Sequence, residues 1–113
     1  MTLYLDTSAF VKLVVEEPRS GALRSYLGRE RGRRVSSALL RAEAVRAVRH
    51  LGPEALGGTR QALRAIDLVA VADQILDAAG SLEPRIVRTL DAIHLATAAS
   101  LGDDLDAIVT YDA

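Results

Sequence analysis

Short apolar runs alternate along this chain with longer stretches of helical period, joined by connections of a few residues, and few folds satisfy such an alternation. Leu3-Tyr4-Leu5 is the first run, and apolar residues then recur with helical spacing at Ala9, Phe10, Leu13 and Val14. Pro18 fits the first turn of a second helix through Leu23 and Leu27, followed by a charged, glycine-punctuated connection from Gly28 to Gly32. Arg34-Val35-Ser36 reads as a strand. Ser36 or Ser37 can cap a long helix through Leu39, Leu40, Ala44, Val48 and Leu51, which Gly52-Pro53 stops. Glu54 to Arg64 supports a helix, Ile66 to Val71 a strand, and Ala72 to Leu82 a helix broken by Glu83-Pro84. Leu90 to Leu101 is a nearly all-apolar helix ended by Gly102, and Ala107-Ile108-Val109-Thr110 is a last strand. The pattern predicts an α/β fold: a central parallel sheet covered by helices on both faces, in one domain over residues 1–113.

In such a sheet, ligands sit beyond the carboxyl ends of the strands, where the strand order reverses. Asp6 follows the first strand and Asp112 follows the last, so both fall at that edge. Two helical acids join them in the sequence. At 100° per residue, Glu43 falls between Leu39 and Leu40 on the apolar side of its helix, opposite Arg41 and Arg49. The same construction puts Asp91 beside Ala92, Leu95, Ala98 and Ala99, on a side expected to pack inward. Taken singly each has an ordinary role: Asp6 as a helix cap, Asp91 as a dipole partner, Asp112 as a turn residue, Glu43 bonded to a nearby Arg. Taken together, inward carboxylates persist when something cationic offsets their lost hydration.

The absence of cysteine excludes thiolate metal sites and cysteine nucleophiles, and with only His50 and His94 a nitrogen–sulfur zinc site has too few ligands. His94, one helical turn from Asp91, reads as a packed, hydrogen-bonded histidine, and His50 as a partner of a helix end. An all-oxygen donor set suits Mg²⁺ or Mn²⁺, and such a site has the parts for phosphodiester cleavage by activated water. No apolar run reaches membrane-spanning length and no charged leader precedes the first strand, which points to a cytoplasmic protein with no membrane partner. Residues 1–50 carry ten Lys/Arg against five Asp/Glu, and residues 51–113 carry four against ten, so a net charge of −1 conceals halves of +5 and −6. Four aromatics (Tyr4, Phe10, Tyr26, Tyr111) are too few for a base-stacking platform.

The strings LYLDTSAFVKLVVEEP, SSALLRAEAVRAV, VRTLDAIHLATAASLG and AIVTYDA, taken in order, resemble the PIN-domain proteins of the VapC toxin type over nearly the whole chain. The resemblance implies a three-layer α/β/α domain acting as a Mg²⁺- or Mn²⁺-dependent endoribonuclease, a homodimer inhibited by a VapB-like antitoxin. It assigns Asp6, Asp91 and Asp112 to metal, with Glu43 positioning a water or helping a second ion, and makes Ser8 and Thr110 supporting hydrogen-bond partners. RNA would run over basic residues of the first half, with Arg24, Arg41, Arg46 and Arg49 as candidates. Relatives usually continue past the position of Asp112 through another helix and a final strand, so a sheet lacking its last strand is one form the resemblance allows.

Rival enzymes fit poorly. A haloacid-dehalogenase-type hydrolase needs D-x-D where this chain has Asp6 and Ser8, and a receiver domain needs a Lys after its last strand, whereas the one Lys here is Lys12. The stronger alternative is a shortened PIN domain that binds antitoxin or RNA and cleaves nothing.

Overall fold

The computed structural model describes residues 1–111, and Asp112 lies outside the described residues. Four strands, β1 (Thr2–Leu5), β2 (Arg33–Ser37), β3 (Asp67–Val69) and β4 (Ala107–Val109), form one parallel sheet in the order β3-β2-β1-β4. The order reverses at β1, because the chain first builds outward to β3 and then returns to place β4 on the other side. Register pairs Tyr4 with Val35 on one flank and with Ile108 on the other.

Among the described residues six helices cover the sheet: α1 (Thr7–Val14), α2 (Ser20–Arg29), α3 (Leu40–Val48), α4 (Pro53–Leu63), α5 (Asp73–Gly80) and α6 (Thr89–Ala99). The period-2 alternation of β1 sorts them into layers. Leu3 and Leu5 point to one face and pack with Phe10 of α1, Leu23 of α2 and Leu40 and Ala44 of α3. Tyr4 points to the other face with Val35 and meets Ala98 of α6. Ile75, Ile93 and Ala96 close the seam between α5 and α6. The expected three-layer parallel architecture is therefore present, with β1 buried on both faces as central parallel strands are.

Local chemistry moves some element ends. Pro18 precedes α2 instead of starting it. Glu17 to Ser20 is a tight turn with Pro18 at its second position and Arg19 at φ 75°, and the buried Ser20 hydroxyl accepts from Glu17 N–H (2.9 Å) and donates to the Val15 carbonyl (3.1 Å). Proline pre-sets the first half of that turn and cannot donate within it, so turn chemistry overrides the helix-start reading. The third helix ends at Val48 and continues as a 3-10 turn at Arg49–Leu51, while Pro53 opens α4, where its missing N–H costs nothing. Helix α6 ends at Ala99, ahead of Gly102, which begins a further 3-10 turn.

Of the glycines, Gly32 has the least room for a side chain. Its φ of +133° lies where L side chains rarely go, and a Cβ there would sit 2.0 Å from the Met1 carbonyl oxygen, at the mouth of the β1–β2 pairing. Gly28, inside α2, has open space around it. Urea unfolding should therefore show opposite signs: Gly32→Ala loses at least about 2 kcal/mol, and Gly28→Ala gains about 0.5 kcal/mol.

Candidate active site

Asp6 is the residue where strand becomes helix. Its extended backbone (φ −79°, ψ 179°) places Oδ1 to accept the Ala9 N–H at 3.0 Å, capping α1, and the same oxygen accepts the Ser8 hydroxyl at 2.6 Å. Its other oxygen accepts the Thr110 hydroxyl just past β4. Ser8 in turn accepts the Tyr111 N–H at 2.8 Å, so the loop after β1 and the loop after β4 are stitched together around one carboxylate. The capping role and the site position are the same geometry seen twice.

A cavity of about 420 Å³ opens at this edge, and Asp6, Glu43 and Asp91 all line it. Glu43, on α3, is partly buried. Its Oε1 accepts the Thr7 hydroxyl at 2.8 Å and lies 2.7 Å from His94 Nε2. Its partners are thus Thr7 and His94, where an Arg across the core was one expectation from the sequence. His94 is buried in α6, and its Nδ1 meets the Tyr4 hydroxyl at 2.7 Å. Burial pushes the Tyr4 phenol up to about 12, so it keeps its proton. Burial alone would raise the Glu43 carboxyl, but hydrogen bonds from His94 and Thr7, with the His94 charge, outweigh it and hold the group below its usual value.

Asp91 departs from the helical-face expectation. It is exposed, on the side of α6 that carries Leu95, while Ala92, Ile93, Ala96 and Ala98 turn inward. An almost wholly apolar helix gives periodicity little to orient by, and the buried side is chosen by packing against α5 and the sheet. From that exposed position in the first turn Asp91 still faces the cavity, with no hydrogen-bond or ion-pair partner among the described residues. Asp91 and Asp6 also border a smaller apolar hollow of about 170 Å³ against Tyr4, Leu95 and Ile108. Asp112, the fourth acid, lies outside the described residues.

The PIN domain family model matches residues 3–113. The chain belongs to the PIN-domain family. Its VapC-type relatives include Ribonuclease VapC46 of Mycobacterium tuberculosis, 56% identical over 110 residues that span 97% of this chain and 84% of that protein. Ribonuclease VapC35 of the same organism is 41% identical over 113 residues, with the same two shares covered. Among solved structures, VapC20 of Mycobacterium tuberculosis, a Sarcin-Ricin loop cleaving toxin, superposes with a TM-score of 0.80 at 18% identity, over 97% of this chain and 89% of the other. A toxin-antitoxin complex from Klebsiella pneumoniae gives 0.74 at 19%, over 98% and 99%. At those identities the two structures speak to the fold.

PIN-family chemistry implies a hard divalent cation, and the donors suit one in kind: Asp91 has no partner among the described residues, and both hydrogen bonds to the Glu43 carboxylate fall on Oε1. Among the described residues no group of three or more Asp, Glu or His side chains is close enough to hold an ion as it stands. The acids share a cavity without forming a closed cluster among the described residues, and Glu43 is engaged by His94. The basic candidates lie elsewhere. Arg24 pairs with Glu16 at 2.9 Å, Arg41 lines a groove with Arg60 and Arg64, and Arg46 and Arg49 are exposed and do not line the acidic cavity. What sequence reading missed is Lys12, Thr7 and the Tyr4–His94 pair. Thr7 adjoins Asp6, and Lys12 follows Ser8 by one helical turn, so helical spacing alone could have drawn both to the site.

The lowered Glu43 value has a sign that stability measurements can read. A carboxyl depressed in the fold stabilises it above the unfolded carboxylate range, and that contribution fades as pH falls through the folded value. The stability gap between wild type and Glu43→Gln, followed by urea unfolding, should be largest near neutrality and shrink below about pH 4. A gap independent of pH would contradict the His94–Thr7 cradle.

Proposed function

We propose that this chain is an endoribonuclease toxin of the VapC type, dependent on Mg²⁺ or Mn²⁺, that hydrolyses RNA phosphodiester bonds and is held inactive by a VapB-like antitoxin. The observation that carries this reading is the convergence of Asp6, Glu43 and Asp91 on one cavity at the carboxyl edge of a parallel sheet. The ribonuclease relatives and the toxin-antitoxin neighbour support it.

The cation would be held by Asp6 and Asp91, with Asp112 as the further ligand the family resemblance supplies. When bound, it contributes an activated water and offsets charge on the phosphate. The chain's own residues supply orientation. Ser8, Thr110 and the Ala9 N–H hold the Asp6 carboxylate in one plane before substrate arrives. Thr7 and His94 fix Oε1 of Glu43, leaving its other oxygen without a hydrogen bond among the described residues. A carboxylate held below its usual range is a weak base and a good acceptor, so Glu43 orients the attacking water more than it stores a proton. Tyr4, by setting the His94 ring, acts on Glu43 from a distance.

One observation favours a second reading, a domain that binds antitoxin or RNA without cleaving: the acids among the described residues do not close around an ion. Cleavage of a labelled RNA with Mg²⁺ or Mn²⁺ separates the two. The nuclease reading expects Asp6→Asn and Asp91→Asn to fall to the level of a chelated control, and Ser8→Ala to lose about 10- to 100-fold. Residual cleavage equal in wild type and both Asn variants would assign the activity to a contaminant and leave the binding reading.

A further inference from the structure

The acidic cavity contains one Lys or Arg among the described residues that line it, and it is the only lysine in the chain. Lys12 sits one helical turn beyond Ser8 in α1, its side chain 16% exposed. Its Nζ donates to the Pro18 carbonyl at 3.0 Å and stands 5.1 Å from the centre of the Tyr111 ring. The Glu17 carboxylate is 3.7 Å away, too long for a hydrogen bond. An ammonium has three donors, and the Pro18 carbonyl is the one hydrogen-bond acceptor Nζ has among the described residues, with Glu17 an ion pair at longer range, so its donors are not saturated.

The surroundings give that placement a use. Asp6, Glu17, Glu43 and Asp91 share the cavity wall with Lys12, and a phosphodiester strand brought into such a wall meets like charge from every acid. The turn at Glu17–Ser20 supplies the Pro18 carbonyl, and Tyr111 follows β4, so the ammonium is braced from both flanks of the strand-order reversal. A braced cation on an otherwise acidic wall is a built receptor for a single anionic oxygen. The basic residues singled out in the sequence, Arg24, Arg41, Arg46 and Arg49, do not line this cavity.

We propose that Lys12 binds a phosphate of the RNA strand beside the acids and thereby sets the register of the substrate in the site. This rests on the nuclease reading above and deepens it. The contact is made in the ground state as well as during reaction, so its loss raises KM more than it lowers kcat.

The test uses Asp6→Asn protein, which the nuclease reading expects not to cleave, and a short fluorescent 2′-O-methyl oligoribonucleotide of mixed sequence. Binding is titrated at several salt concentrations in that background, alone and combined with Lys12→Met or Lys12→Arg. Met keeps an unbranched side chain and removes the charge, whereas Arg keeps the charge. The slope of log K against log salt should flatten by about 0.7 in the Met variant, the loss of one single-strand phosphate contact, and be restored in the Arg variant. An unchanged slope in Lys12→Met, with or without a lowered Tm, overturns the proposal and leaves Lys12 as a brace of the Pro18 turn. Failure of the Asp6→Asn parent to bind the probe overturns it as well. Wild-type cleavage that survives Asp6→Asn would instead count against the nuclease reading, so the two failures are distinguishable.

Discussion

Parallel pairing of β1 with β4 is the constraint on which the site depends. Asp6 donates its N–H to the Val109 carbonyl at 3.3 Å, and the Thr110 and Ser8 hydroxyls close on its carboxylate from either side. A one-residue slip in this register would exchange the faces of every β4 side chain and carry Thr110 away from Asp6. Because β1 is buried on both faces, through Leu3 and Leu5 on one and Tyr4 on the other, the register is strongly specified by the core. The hydrophobic packing that stabilises the sheet is thus also what aims the acid.

The two helical acids are handled in opposite ways. Glu43 is partly buried, and its lost hydration is offset by hydrogen bonds from Thr7 and His94, themselves anchored through Tyr4 to the central strand. Asp91 remains in water at the rim and needs no partner. One carboxylate is held by two hydrogen bonds and the other is solvated, so the wall presents one fixed acid and one hydrated acid. A closed cluster of acids would instead repel itself.

Much of this was legible in the residues. Leu3-Tyr4-Leu5 and Ala107 to Thr110 read as strands because short apolar runs end at polar residues, and the carboxyl-edge rule put Asp6 where the cavity lies. Family membership was legible in the ordered strings around Asp6, Glu43 and Asp91. The face of α6 was not, since Ala, Leu and Ile on every side leave a helix without a polar stripe to orient it. Nor was the Pro18 turn, whose Arg19 adopts a positive φ that glycine usually supplies. The Tyr4–His94–Glu43 chain joins residues 90 and 51 positions apart, a contact that only the closing of the sheet creates.

Crystals grown with Mn²⁺ and measured for anomalous scattering test most directly whether these acids act as one site. The account predicts an anomalous peak bordered by the carboxylates of Asp6 and Asp91, at oxygen-ligand distances of roughly 2 Å. A cavity without manganese at saturating concentration, or a peak seated only on acids remote from Asp6, would contradict it.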